Sequence, residues 1–110
     1  MDFKEYQEKA HTTSQNTVIG GDKRLYPVMG LSGEAGEIAE KFKKLHRDKG
    51  GEITPEFQDL LKKELGDVLW YVAELCTQSD IDMEDVATTD IDKLFSRKER
   101  GVIGGSGDNR

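Results

Sequence analysis

Residues 54–76 read TPEFQDLLKKELGDVLWYVAELC. Thr54 offers an N-cap hydroxyl, and Pro55 suits the first helical position, where a missing N–H costs nothing. Apolar residues then recur at Phe57, Leu60, Leu61, Leu65, Val68, Leu69, Val72, Leu75 and Cys76, a helical period. On a wheel with Phe57 at zero, the apolar arc runs from about 300° through zero to about 120°. Glu64 falls at about 340°, inside that arc, and Asp67 at about 280°, on its rim. A carboxylate in an apolar stripe is costly without a partner. The stretch thus predicts a long helix and a missing counter-charge together.

Working upstream, Pro27 opens a second helix with Leu31, Ala35, Ile38, Ala39, Phe42 and Leu45 on one face. Gly30, Gly33 and Gly36 weaken its early part, and it stops near Arg47, before the Asp48–Gly51 turn. With Leu31 at zero, Glu34 lies at about 300° and Glu37 at about 240°, stepping along one rim. Glu40, at about 180°, points the other way and is solvated. Two carboxylates at i, i+3 repel unless a cation lies between them. A lone E-x-x-E on a lysine-rich helix is ordinarily just a charged surface. Two such pairs on facing helices, one of them entering an apolar arc, form a cage of hard oxygens suited to Mg²⁺ or Mn²⁺. A di-iron bundle would need Glu-x-x-His on two helices, and neither His11 nor His46 follows a glutamate by three.

Asp2 and Glu5 have capping-box spacing and open a first helix to about Thr13. Residues 14–26 carry Gly20-Gly21 and no period, and read as loop. Asp82 caps a fourth helix bearing Met83, Val86, Ala87, Ile91, Leu94 and Phe95, which ends at Ser96. Residues 97–110, RKERGVIGGSGDNR, form a Gly/Arg-rich tail. With no strand and no repeat, 1–110 is one all-α domain, a four-helix bundle-like protomer whose second and third helices pair antiparallel.

The 22 acidic and 16 basic side chains leave a net charge of −6, which repels nucleic acid unless divalent ions intervene. Hydrophobic residues make up 35% of the 110, lean for a monomeric core, so a homo-oligomer is expected. One cysteine permits no intrachain disulfide, and there is neither a long apolar run nor a signal-peptide core. A soluble cytoplasmic protein with no membrane partner follows.

The segments GLSGEAGEIAEKFKK (30–44) and KKELGDVLWYVAEL (62–75) resemble the MazG-like nucleotide pyrophosphohydrolases of the all-α NTP pyrophosphatase superfamily. That family's signature is E-x-x-E, a spacer, then E-x-x-D. Glu34/Glu37 and Glu64/Asp67 match it with 26 residues between. The tail, of the form R-x-x-R-G…G-G-x-G-D-N-R, is similar to that of some small members. The resemblance implies hydrolysis of a nucleoside triphosphate to the monophosphate and pyrophosphate, for clearing a nucleotide pool. It further implies Mg²⁺ (Mn²⁺ as a substitute) on Glu34, Glu37, Glu64 and Asp67, with Glu37 or Glu64 acting on the attacking water. Two other readings stay open: a phosphoribosyl-ATP pyrophosphatase-like hydrolase on the same scaffold, and a non-catalytic Mg²⁺-dependent nucleotide-binding protein.

Tyr71, four residues after Asp67, shares its face; in the family an aromatic there helps hold the nucleotide, and spacing alone equally allows a core-edge tyrosine. Lys41 is placed as an i, i+4 partner of Glu37 or as a phosphate ligand. Arg97, Arg100, Asn109 and Arg110 are candidate phosphate contacts from a tail that resembles a flap over the site. Trp70, at about 220° on the wheel, predicts a subunit interface or another helix against it. Subunits are expected as a homodimer or homotetramer.

Overall fold

Four helices carry the chain, and the computed structural model describes all of residues 1–110. They are α1 (Phe3–His11), α2 (Leu25–Lys49), α3 (Pro55–Gln78) and α4 (Met83–Glu99). The expected all-α class is the observed one. Asp2 caps α1, its carboxylate accepting from the Glu5 N–H at 2.8 Å. Thr54 caps α3 by accepting from the Phe57 N–H at 3.1 Å. Helix α2 begins two residues earlier than expected, at Leu25. Pro27 then lies in its first turn, where backbone N–H groups have no intrahelical acceptor and a proline is harmless.

Helix α4 also overruns its expected end at Ser96 and continues to Glu99. The cause is Arg97, which is buried in the last turn and donates to the Asp108 carbonyl at 3.0 Å, so that the tail anchors the helix. At the other end of α4, Asp82 makes no side-chain cap. The Met83 N–H instead donates to Gln7 Oε1 of α1 at 2.7 Å, so a tertiary contact replaces the local one.

Helices α2 and α3 form an antiparallel hairpin. Tyr26 meets Tyr71, Lys41 meets Glu64 and Phe42 meets Phe57, so contacts descend one helix as they climb the other. The two phenylalanines pack edge to face with centroids 5.1 Å apart, fastening the closed end. Helix α3 is the common axis: α2 packs on it alone, α1 packs on α3 and α4, and α2 meets neither α1 nor α4. The small core of Ala10, Ala73, Cys76 and Met83 lies where α1, α3 and α4 converge, with Tyr6, Trp70 and Val72 against it. No helix is long and apolar enough to cross a membrane.

The hairpin turn depends on Gly50, which caps α2 in the left-handed region at φ 68°. There a Cβ would crowd the following carbonyl. Gly50→Ala is expected to destabilise the protein by about 1–2 kcal/mol, read as a lower urea midpoint with an unchanged slope.

Candidate metal centre

The hairpin brings three of the four expected carboxylates together. Glu34, Glu37 and Glu64 each offer an oxygen, all within 4.8 Å of one another. Glu34 and Glu37 come from adjacent turns of α2, while Glu64 reaches in from the apolar arc of α3. Asp67 stands outside this trio, one turn further along α3 and exposed, close enough for its charge to act on Glu34. Glu40 points to solvent and pairs with Lys43 at 2.8 Å.

The cluster's electrostatics are unresolved within the chain. Burial raises the Glu34 carboxyl above its ordinary value, and the charge of Glu37, a hydrogen bond shared with it, and the charges of Asp67 and Glu64 add to the rise. Glu34 Oε2 and Glu64 Oε2 are buried with no hydrogen-bond partner. The one cation in reach is Lys41, whose Nζ lies 3.7 Å from Glu64 Oε1. It pairs across the hairpin rather than with Glu37 on its own helix, because the interhelical side of α2 holds the buried charge. Two orphaned buried oxygens in a set made only of carboxylates fit a small hard divalent cation such as Mg²⁺ or Mn²⁺.

Tyr71 flanks the cluster. A hydrogen bond shared with Tyr26 is the largest cause pushing its hydroxyl up to about 12; burial and the charges of Tyr26, Glu34 and Asp67 act the same way. The ring lies so close to the α2 backbone that a Cβ on Gly30 would overlap it, so glycine at 30 is what admits Tyr71. Trp70 meets Tyr71 edge-on at 5.0 Å. Where a subunit or another helix was expected against Trp70, the turn that follows α1 lies there, with indole Nε1 donating to Thr13 Oγ1 at 2.8 Å.

The tail residues are brought together with one another and not with the carboxylates. Arg110 donates to the carbonyls of Val102, Ile103, Gly104 and Gly107. Arg100 donates to the Arg110 carbonyl at 2.8 Å, and Arg97 pairs with Asp108 at 3.4 Å. Asn109 is exposed within the same loop. Two features were not singled out from the sequence: the Gly30 cradle and Glu74, a buried carboxylate seven residues past Asp67. Only the repeat of acidic residues along one face of α3 hinted at the second.

Glu34 binds its proton more tightly in the folded than in the unfolded chain. Without metal, its contribution is therefore fully present below the unfolded value of 4.5 and is lost as pH rises through the raised folded value. A divalent ion bound at the cluster would have to displace that proton. Thermal stabilisation by Mg²⁺ is expected to grow as pH rises through that window and to flatten in Glu34→Gln, as read by melting curves across pH with and without the ion.

Comparison with known proteins accords with this geometry. Over 85 residues the chain is 60% identical to Gene 37 protein of Mycobacterium phage L5, covering 77% of this chain and 75% of that relative. No solved structure matches. The model of the MazG nucleotide pyrophosphohydrolase domain matches residues 26–102, a span that holds the whole carboxylate hairpin, and the chain belongs to that family.

Proposed function

We propose that this protein is a Mg²⁺-dependent hydrolase that cleaves a nucleoside triphosphate between its α and β phosphates, releasing the monophosphate and pyrophosphate in the cytoplasm. The observation that carries the reading is the trio of carboxylates with two orphaned buried oxygens. Their family supplies the reaction class.

Glu34, Glu37, Glu64 and Asp67 would hold the metal, which supplies charge neutralisation on the phosphates and a more acidic water. Glu37 is the most open of the trio, so its carboxylate takes the proton of the attacking water. The water oxygen bonds to the α phosphorus as the bond to the pyrophosphate oxygen breaks. Glu64 orients the cluster from the apolar side. Lys41, held only at 3.7 Å, is free to exchange Glu64 for a phosphate oxygen. Tyr71 contacts the nucleotide beside the cluster. A substrate role for Arg97, Arg100, Asn109 and Arg110 requires phosphate to replace the partners they hold within the tail.

A second copy of the chain completes the molecule in this reading. The accessible surface is 7906 Å², against about 6,100 Å² for a compact monomer of this mass. The radius of gyration is 16.9 Å, against about 13 Å for a compact chain of this length. Leu65 (51% exposed) and Leu69 (37%) lie on the edge of the α3 arc that α2 leaves uncovered. Burying that edge against a twin yields a homodimer, or a homotetramer of such pairs.

Incubation with a panel of ribo- and deoxynucleoside triphosphates and Mg²⁺ is expected to release monophosphate and pyrophosphate. Orthophosphate as the product would overturn α–β cleavage, and Mg²⁺-dependent binding without turnover would make the protein a binder. Glu64→Gln should lower kcat by at least about 10²-fold with helical circular dichroism intact, and Glu40→Gln should leave it near wild type. Sedimentation should give a dimer or tetramer that Leu65→Lys dissociates; a wild-type monomer would sink the assembly.

A further inference from the structure

Glu74 is a buried carboxylate that the proposed chemistry does not use. It is 2% exposed and sits on α3 seven residues past Asp67. Its oxygens lie 3.1 and 3.3 Å from His11 Nδ1, and Gln78 Nε2 donates to it at 2.7 Å. Burial alone would raise its carboxyl. Hydrogen bonds from Gln78, Ser14 and His11, with the charge of His11, outweigh burial and hold it below its ordinary value. Unlike Glu34 and Glu64, it is a satisfied carboxylate, held by Gln78 of its own helix and by His11 of the N-terminal segment.

That segment contributes Ala10 and Tyr6 to the small apolar core and is tied to the rest of the chain by a set of polar contacts as well. Gln7 donates to Thr77 Oγ1 at 3.1 Å and to the Ile81 carbonyl at 2.9 Å, and it accepts from the Met83 N–H. Gln78 also donates to Asn16 Oδ1 at 3.1 Å, and Thr13 takes the Trp70 indole N–H. Of α1 itself only Ala10 is buried. Glu74 is the only charged group at pairing distance from His11; neither α4 nor α1 supplies another. Residues 1–25 lie outside the span that the family model matches.

The contacts run on toward the metal centre. Trp70, held by Thr13 on one side, presents its other side to the Tyr71 ring at 5.0 Å, and Tyr71 stands beside Glu34 and Asp67. We propose that residues 3–24 form an arm clasped to α3 through His11 and Glu74, and that its docking sets Trp70 and thereby the Tyr71 ring at the carboxylate cluster. His11, Glu74 and Thr13 are positioning residues; none touches the reacting atoms. Only the identity of the site Tyr71 serves rests on the pyrophosphohydrolase reading.

Trp70 is the chain's single tryptophan, so its emission reports the arm directly. His11 is 41% exposed at its side chain, and His11→Ala removes the clasp without opening a core cavity. In the full-length protein, His11→Ala should speed amide exchange across residues 3–11 by on the order of tenfold. It should also shift Trp70 emission to the red, and move the Tyr71 ring-proton shifts that the edge-on indole perturbs. KM for the triphosphate should rise about two- to tenfold, the worth of one aromatic contact, with kcat near wild type. Asparagine places its amide nitrogen where Nδ1 was, so His11→Asn should restore all four readouts. Unchanged exchange and emission in His11→Ala would overturn the clasp. A released arm with unmoved Tyr71 shifts would overturn the positioning role. If no triphosphate is hydrolysed, the functional reading falls, while exchange, emission and the Tyr71 shifts still decide the arm.

Discussion

Three carboxylates meeting inside one helical hairpin is the constraint on which the molecule turns. Within the 4.8 Å spread of Glu34, Glu37 and Glu64, a pair of full charges repels by about 3 kcal/mol at the effective dielectric near a protein surface. A chain whose stability is of the order of 5–15 kcal/mol can hold such a cluster only by keeping a proton on it or a cation in it. Both responses are visible: the Glu34 carboxyl is raised, and Lys41 leans toward Glu64 across the hairpin. Neither satisfies the two orphaned oxygens. A divalent ion would do both jobs at once, and its affinity would then be coupled to hairpin stability.

Everything near the cluster serves its register. The Phe42–Phe57 contact fixes one end of the hairpin and the Tyr26–Tyr71 contact the other, with Gly30 allowing the second ring to come close. Between them, α2 and α3 have no freedom to slide without separating Glu34 and Glu37 from Glu64. The arm acts from outside the hairpin, through Trp70. The tail takes a different course, since its arginines are held by its own carbonyls and by Asp108 and close a loop at the end of α4.

The helix types and most caps were legible in the sequence because they are local. Asp2 and Thr54 cap where their spacing places them, and the wheel separated Glu40 from Glu34 and Glu37 because side-chain direction follows from 3.6 residues per turn. One boundary and one pairing were misplaced where a neighbour overrode local preference. Helix α4 continues past Ser96 because Arg97 finds partners in the tail, and no spacing within the helix announces them. Lys41 faces Glu64 rather than Glu37 for the same reason: the choice depends on which helix lies opposite.

From sequence alone came four helices, the acidic pairs, the demand for a charge opposite Glu64, and the family to which those motifs point. Each follows from periodicity, capping chemistry and the cost of burying an ion, all of which act over a few residues. Tertiary structure decided that three oxygens converge while Asp67 stands apart, that Glu74 meets a histidine 63 positions away, and that Gly30 makes room for Tyr71. It also left one edge of α3 bare. These depend on the angle and register at which helices meet, set by side chains distant in sequence.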